Sequence, residues 1–406
     1  MRRPGAALAA IAFAAVAGAG FVAGSLQQDF AAYFVAGAAR ARGLDPYVNQ
    51  VAAPGPGADA RVWDGVSIFR HSRFLYPPLS ADLFRPLAAL PYTAAKALFT
   101  AAMLAAWIAA GLVGTDDRRG RAVYFVASAL FFPFHRHLER GQIDLLILLL
   151  LVLAWRARER PFAAGAALAA AAAIKPALVG ILPVLWAGGR GRVVLAAGGA
   201  GLALVGLTAL VDGPSRLREY AGDVLPRVSL YGEGGTDGPL GENELPAEDD
   251  PGEIGVGKTR YHIDSDEPPA VASWPRLLAP EAPSLPAARL PFILGLGALT
   301  TLAWRRRRAG DPRQQALLYW AAAIACVITS PAGWVMGLVV ALPLAPLVAE
   351  LWTERRLARG PAALGAAAWV ALAVPQPFAG WAAMAATALI GAAVVMAETQ
   401  PAAVPT

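Results

Sequence analysis

The chain has 406 residues, 57% apolar and only 16% charged, with a mean hydropathy of +0.48. A soluble domain carries roughly 25% charged residues, so this composition excludes an ordinary soluble fold and fits a chain solvated by lipid. The net charge of +6 comes from arginines in short clusters between apolar runs, which is the pattern of cytoplasmic loops and not of a nucleic-acid-binding surface.

A bilayer core is crossed by about 20 apolar residues in a helix, and lipid leaves open strand edges unsatisfied. The short alternating segments of a membrane barrel do not occur. The expected fold is therefore all-α: a polytopic membrane protein with about twelve transmembrane helices, some short or re-entrant, forming a single domain over residues 1–406. The start, "MRRPGAALAAIAFAAVAGAGFVAGS", has the shape of a signal peptide. Its length and the spans behind it favour an uncleaved first helix over 6–24, with Arg2 and Arg3 inside.

Residues 25–73 follow as a first outer loop carrying an amphipathic helix, with turn signals at "LDPY" and "APGPGAD". Phe74 to Pro91 is apolar but short and contains Asp82 and Arg85, so it reads as re-entrant or half-inserted. A full span covers 93–113 and ends at "DDRRGR". Two shorter runs, 121–134 and 142–155, flank "FHRHLERGQID" and close on "RARER".

The apolar stretch 162–187 is interrupted at Lys175-Pro176. Proline lacks the N–H and crowds the preceding turn, so two half-helices meet there. A span over 193–211 leads into the one large hydrophilic block, 212–285, with fifteen acids against six bases and a net charge of −9. That block is expected outside, its Gly-, Pro- and acid-rich core flexible. Further spans fall at 287–303, 314–329, 335–352, 361–374 and 378–396, which places both termini inside. The single cysteine, Cys326, lies in an apolar run and allows no internal disulfide.

Four stretches hold polar groups where lipid disfavours them. Asp29, Tyr33, Gly37 and Arg40 recur at spacings four, four and three, on one face of a helix lying in the membrane interface. From the residues alone, Asp29 either stabilises that helix through its macrodipole or serves the reaction. The segment 134–144 gathers His135, Arg136, His137, Glu139, Arg140, Gln142 and Asp144, either as a solvated turn or as a recessed turn whose cations suit a phosphate. Its two histidines have no spaced third ligand, which disfavours a metal.

Lys175 is costly inside an apolar run. It either snorkels to the interface or serves a site at the helix break. Tyr76 in "YPPL" and Trp334 in "TSPAGW" are turn-associated aromatics of the kind that anchor at membrane interfaces.

The segments "DFAAYFVAGAARARGLDPY", "FLYPPLSADLFRPLAALP", "RGQIDLLILLLLVLAW", "AAGAALAAAAAIKPALVGILPVLW" and "ITSPAGW", in this order, resemble the polyprenyl-phosphate-sugar-dependent glycosyltransferases of the GT-C superfamily. The resemblance is closest to glycosyltransferase family 87, the bacterial α-mannosyltransferase group. It implies an enzyme of the bacterial cytoplasmic membrane with its site on the outer face, and no cofactor or metal. The implied partners are a polyprenyl-phosphate sugar donor, a lipid- or glycan-linked acceptor and membrane lipids, with no nucleic acid.

By matched position, the resemblance implies Asp29 as the general base, Gln142 and Asp144 in the cavity and Lys175 at the donor phosphate. Because the leaving phosphate gains charge, Arg136 and Arg140 are expected to act there with Lys175. Tyr33, Asp45, Tyr47, Tyr76, His135, His137, Glu139, Gln142, Asp144 and Trp334 are expected to line the cavity. Val335 and Met336 follow Trp334 where relatives often carry polar residues. An aspartate with the ordinary pKa near 4 is ionised and able to accept a proton. The alternative reading is a transporter or flippase of a lipid-linked sugar. Paired repeats and midplane charges are the marks of that class, and neither is evident here.

Overall fold

The computed structural model describes residues 5–25, 27–47, 74–225, 285–307, 311–330, 335–354, 359–373 and 381–399. Among these residues the regular elements are all helical and no strand occurs. The flexible core expected of the acidic 212–285 block falls almost wholly outside the described residues, as do Trp334 and the "APGPGAD" turn.

Helix α1 (Gly5–Gly24) leads through a sharp joint into α2 (Gln28–Ala41). After the short α3 (Pro78–Asp82) and a 3-10 turn at Leu87–Ala89, α4 runs over Tyr92–Gly114. Helices α5 (Arg118–Ala129), α6 (Phe132–Arg140) and α7 (Asp144–Arg156) follow, then α8 (Pro161–Ile174). A 3-10 segment at Pro176–Gly180 joins α8 to α9 (Ile181–Ala187), and α10 (Gly191–Asp212) precedes the short α11 (Pro214–Glu219). The C-terminal part holds α12 (Leu285–Arg306), α13 (Pro312–Thr329), a 3-10 stretch at Val335–Ala341, α14 (Leu344–Thr353), α15 (Arg359–Ala373) and α16 (Trp381–Thr399).

Four of these segments are long and apolar enough to cross a membrane: Gly5–Gly24, Tyr92–Gly114, Gly191–Asp212 and Val335–Thr353. Shorter apolar helices cover Pro161–Ile174, Pro176–Ala187, Gly360–Ala373 and Ala385–Met396. Large apolar side chains such as Leu8, Val16, Leu202 and Leu210 point away from the protein, as a lipid solvent permits. The core is built on α13, whose residues Leu317 to Ile328 are all buried.

The break in the 162–187 run falls where the sequence places it. Lys175 adopts extended φ/ψ of −128° and 92°, because the ring of Pro176 disfavours the helical region for the preceding residue. Phe74 to Pro91 is not a crossing helix. It forms only α3 and one 3-10 turn, because Pro77, Pro78, Pro86 and Pro91 divide it into pieces shorter than a span.

Two further expectations are corrected. Residues 132–140 form a helix and not a turn: Pro133 sits in its first turn and Gly141 ends it in a left-handed conformation. Helix α2 is not half-immersed in lipid either. Residues 29 to 39 are all buried within the protein, because both faces are covered. Phe30 stacks on Phe99 and Tyr92 at 4.7 and 5.7 Å, and Tyr33 stacks on Phe84 at 4.8 Å. Fully burying one such ring contributes roughly 1.5–3 kcal/mol. At Gly37 a Cβ would stand 2.6 Å from the Phe84 backbone, so this approach requires glycine.

Candidate functional site

Asp29 lies in the first turn of α2, where the helix dipole favours an anion. The whole side chain is buried, and its Oδ2 has no hydrogen-bond partner. Gln142 hydrogen-bonds the carboxylate, and Arg140 and Arg136 stand close enough to attract it. Burial outweighs these attractions, and Asp144 adds repulsion, so the pKa rises from 3.8 to about 6. The ordinary value near 4 expected from sequence does not hold.

Gln142 is itself oriented by two phenols. Its Oε1 accepts from Tyr33 Oη at 2.9 Å and from Tyr76 Oη at 3.4 Å, and the two phenols lie 2.7 Å apart. With the carbonyl oxygen so engaged, the amide NH2 is left to donate to Asp29. Burial, together with neighbouring negative charge, holds both phenols well above their ordinary pKa. They remain hydrogen-bond donors at neutral pH. Tyr76 is therefore part of this cluster and not a lipid-interface anchor.

Beside the cluster lies a buried ion pair. Lys175 Nζ donates to Asp144 Oδ1 at 2.8 Å. The lysine comes from the helix break and the aspartate from the first turn of α7, 31 positions apart. Gly337 closes over the pair, since a Cβ there would stand 3.1 Å from Lys175 Nζ. The residues after Trp334, which looked like an interruption of the site, thus form its wall: Val335 to Ala341 are buried without exception.

Several expected lining residues take other places. His137 is fully buried, and its Nε2 accepts the Leu145 N–H at 3.1 Å, which caps the start of α7. His135 projects from the opposite side of α6, bonding the Ala129 carbonyl at 2.7 Å and meeting the Phe13 ring edge-on. A spacing of two on a helix separates the histidines by about 200°, so they share no ligand site. Glu139 pairs with Arg136 at 2.8 Å.

Asp45 folds the loop after α2. One oxygen takes the Tyr47 N–H and the other meets Arg216 at 2.7 Å. Tyr47 donates to the Tyr76 carbonyl at 2.8 Å and packs against Tyr220. These two residues brace the cluster from outside.

Three participants were not singled out from sequence. Arg216 and Tyr220 carry no local signal. Lys96, fully buried in α4, carries the same signal as Lys175: one lysine inside an apolar run.

Residues 74–238 match the family model of glycosyltransferase family 87. The match covers less than half of the chain, and over that stretch the sequence is similar to glycosyltransferase family 87. The resemblance read from the sequence is thus borne out, and the family's chemistry supports transferase activity for the chain. The family 87 match contains Tyr76, Arg136, Arg140, Gln142, Asp144 and Lys175, whereas Asp29 and Tyr33 precede it. No curated protein and no solved structure matches the chain.

Proposed function

We propose that the chain transfers a hexose, with mannose as the family expectation, from a polyprenyl-phosphate sugar to a lipid- or glycan-linked acceptor of the cell envelope. Asp29 acts as general base. The acceptor hydroxyl attacks the anomeric carbon, its proton passes to Asp29, and the bond from that carbon to the donor phosphate oxygen breaks. Polyprenyl phosphate leaves, and a single displacement inverts the anomeric configuration. A base with a pKa of about 6 is well matched to neutral pH, where general-base catalysis contributes roughly 10²–10⁴-fold.

Arg140 and Arg136 stabilise the leaving phosphate, with Lys175 beside them, and gain most as its charge grows in the transition state. The arginine-rich helix ends lie at the opposite end of α7 from Asp144. The positive-inside rule then supports an outward-facing site and termini on the cytoplasmic side, and the proposed topology is twelve crossings of a bacterial inner membrane. A donor whose tail stays in lipid and whose head sits at that outer face suits this arrangement.

The observation that carries this reading is the buried carboxylate of Asp29, with one oxygen unpartnered, in a chain with a family 87 region. The test is purified protein in lipid nanodiscs, given polyprenyl-phosphate mannose and a cell-envelope lipid extract, with products read by mass spectrometry. A new glycosidic product with release of polyprenyl phosphate is expected. Passage of the intact donor across vesicles without a product would instead mark a flippase.

A further inference from the structure

The joint between α1 and α2 is held from two sides. Gln27 is the one non-glycine residue with positive φ among the described residues, at φ 54° and ψ 66°. An L-residue occupies that region at a steric cost, so surrounding contacts must impose it. Its buried side chain donates to Thr100 Oγ1 at 3.0 Å and to the Leu138 carbonyl at 2.9 Å. Its backbone N–H donates to Ser25 Oγ at 3.1 Å, and Ser25 Oγ donates to the Glu139 carbonyl at 2.9 Å. Lys96, with no exposed surface, donates to the Ser25 carbonyl at 2.6 Å.

Lys96 and Thr100 are four apart on α4 and so share one face. The turn before Gln142 presses on the same joint. Gly141 has φ 70°, and a Cβ there would lie 2.9 Å from Gln27 Cβ and 2.7 Å from Phe30 Cβ.

We infer that Lys96 and Gln27 are positioning residues for the transfer reaction: Lys96 from one face of α4 and Gln27 from within the α1–α2 joint, bonded to Thr100 on that same face, lock the joint against the turn that carries Gln142, so that Asp29 meets its amide. The inference rests on the general-base reading of Asp29. Asp29 follows Gln27 by two residues, and Gln142 follows Gly141 by one. A rotation at the joint therefore moves the carboxylate, with Tyr33 on the same helix, relative to the groups that face it from other elements: Arg136 and Arg140 from α6, Gln142 from the turn before α7, Asp144 from the start of α7, and Tyr76. A buried lysine in a membrane segment is a functional candidate in its own right. Here its one hydrogen bond goes to a backbone carbonyl of the joint, which points to a role in placing that joint.

The test uses the full chain in nanodiscs as Lys96→Met, which keeps length and removes the donor, and as Gln27→Asn, which keeps an amide and tolerates the left-handed region. Lys96→Arg serves as the conservative rescue. Rates with polyprenyl-phosphate mannose are taken on the monodisperse fraction. The Asp29 carboxyl is titrated by infrared difference spectroscopy, with Asp29→Asn to assign its band.

For Lys96→Met the expected result is a kcat lower by about 10²-fold, the scale of a 1 Å misplacement, with the donor KM little changed. The Asp29 titration should move below its value of about 6 as water reaches the carboxylate. Lys96→Arg should recover most of the rate. A folded Lys96→Met with unchanged kcat and an unmoved titration overturns the inference. If it does not fold, Gln27→Asn decides by the same two readouts. Full activity in Asp29→Asn would defeat the general-base reading instead, and the infrared titration would still report whether the joint places the carboxylate.

Discussion

The Lys175 ammonium and the Asp144 carboxylate meet at 2.8 Å, with side chains 11% and 2% exposed. Each comes from a point where a helix stops or starts. The pair sits next to Asp29, whose pKa already registers the Asp144 charge. Removing one partner of a buried pair leaves an uncompensated charge, which costs about 3–5 kcal/mol. Lys175→Ala should therefore lower the melting temperature of the purified protein and weaken donor use. Lys175→Ala with Asp144→Asn should recover the melting temperature without recovering the donor KM. Unchanged donor kinetics in either variant would limit Lys175 to a structural role.

Asp29→Asn should leave the protein folded in the membrane while transfer falls by roughly 10²–10⁴-fold. Burial raises this carboxyl in the folded state, so its ionised form opposes folding. The stabilising contribution is present below the unfolded value of 3.8 and is lost as pH rises to about 6. At neutral pH the asparagine variant should consequently melt no lower than the parent. Thermal scans beside initial rates separate the two effects.

The rate profile should carry the same signature. Transfer should fall away below about pH 6, where Asp29 becomes protonated, and not below pH 4. Initial rates from pH 4.5 to 8 at saturating donor locate that limb. Gln142→Leu removes the hydrogen bond that favours the carboxylate form, so the limb should move to higher pH. An unmoved limb would mean that Gln142 does not set the state of the base.

His137→Leu tests the division between site and scaffold. The Leu145 N–H loses its acceptor, and a buried unsatisfied group costs about 1–3 kcal/mol. A lower melting temperature with an unchanged acid limb and donor KM is expected. A changed donor KM at constant stability would return His137 to the substrate cavity.

Helical membrane character, the lengths of the long spans and the break at Lys175-Pro176 were legible in the sequence. These rest on hydropathy and on the local geometry of proline, which act between near neighbours. The cluster residues Asp29, Tyr33, Tyr76 and Gln142 could be named, because polar groups next to lipid are costly and so stand out. Their roles could not. Tyr33 reaches Gln142 across 109 positions and Tyr76 across 43, and no local pattern encodes such meetings.

The sequence by itself determined that this is a helical membrane protein with acids and cations gathered at particular helix ends. Tertiary structure alone decided that α2 is enclosed and not laid on lipid, that His137 caps α7, and that Lys175 answers Asp144. It alone also raises Asp29 toward neutrality. The physical reason is that a carboxyl's pKa depends on how much water its neighbours exclude, and those neighbours come from α4, α6 and the Tyr76 loop, which only the folded chain brings together.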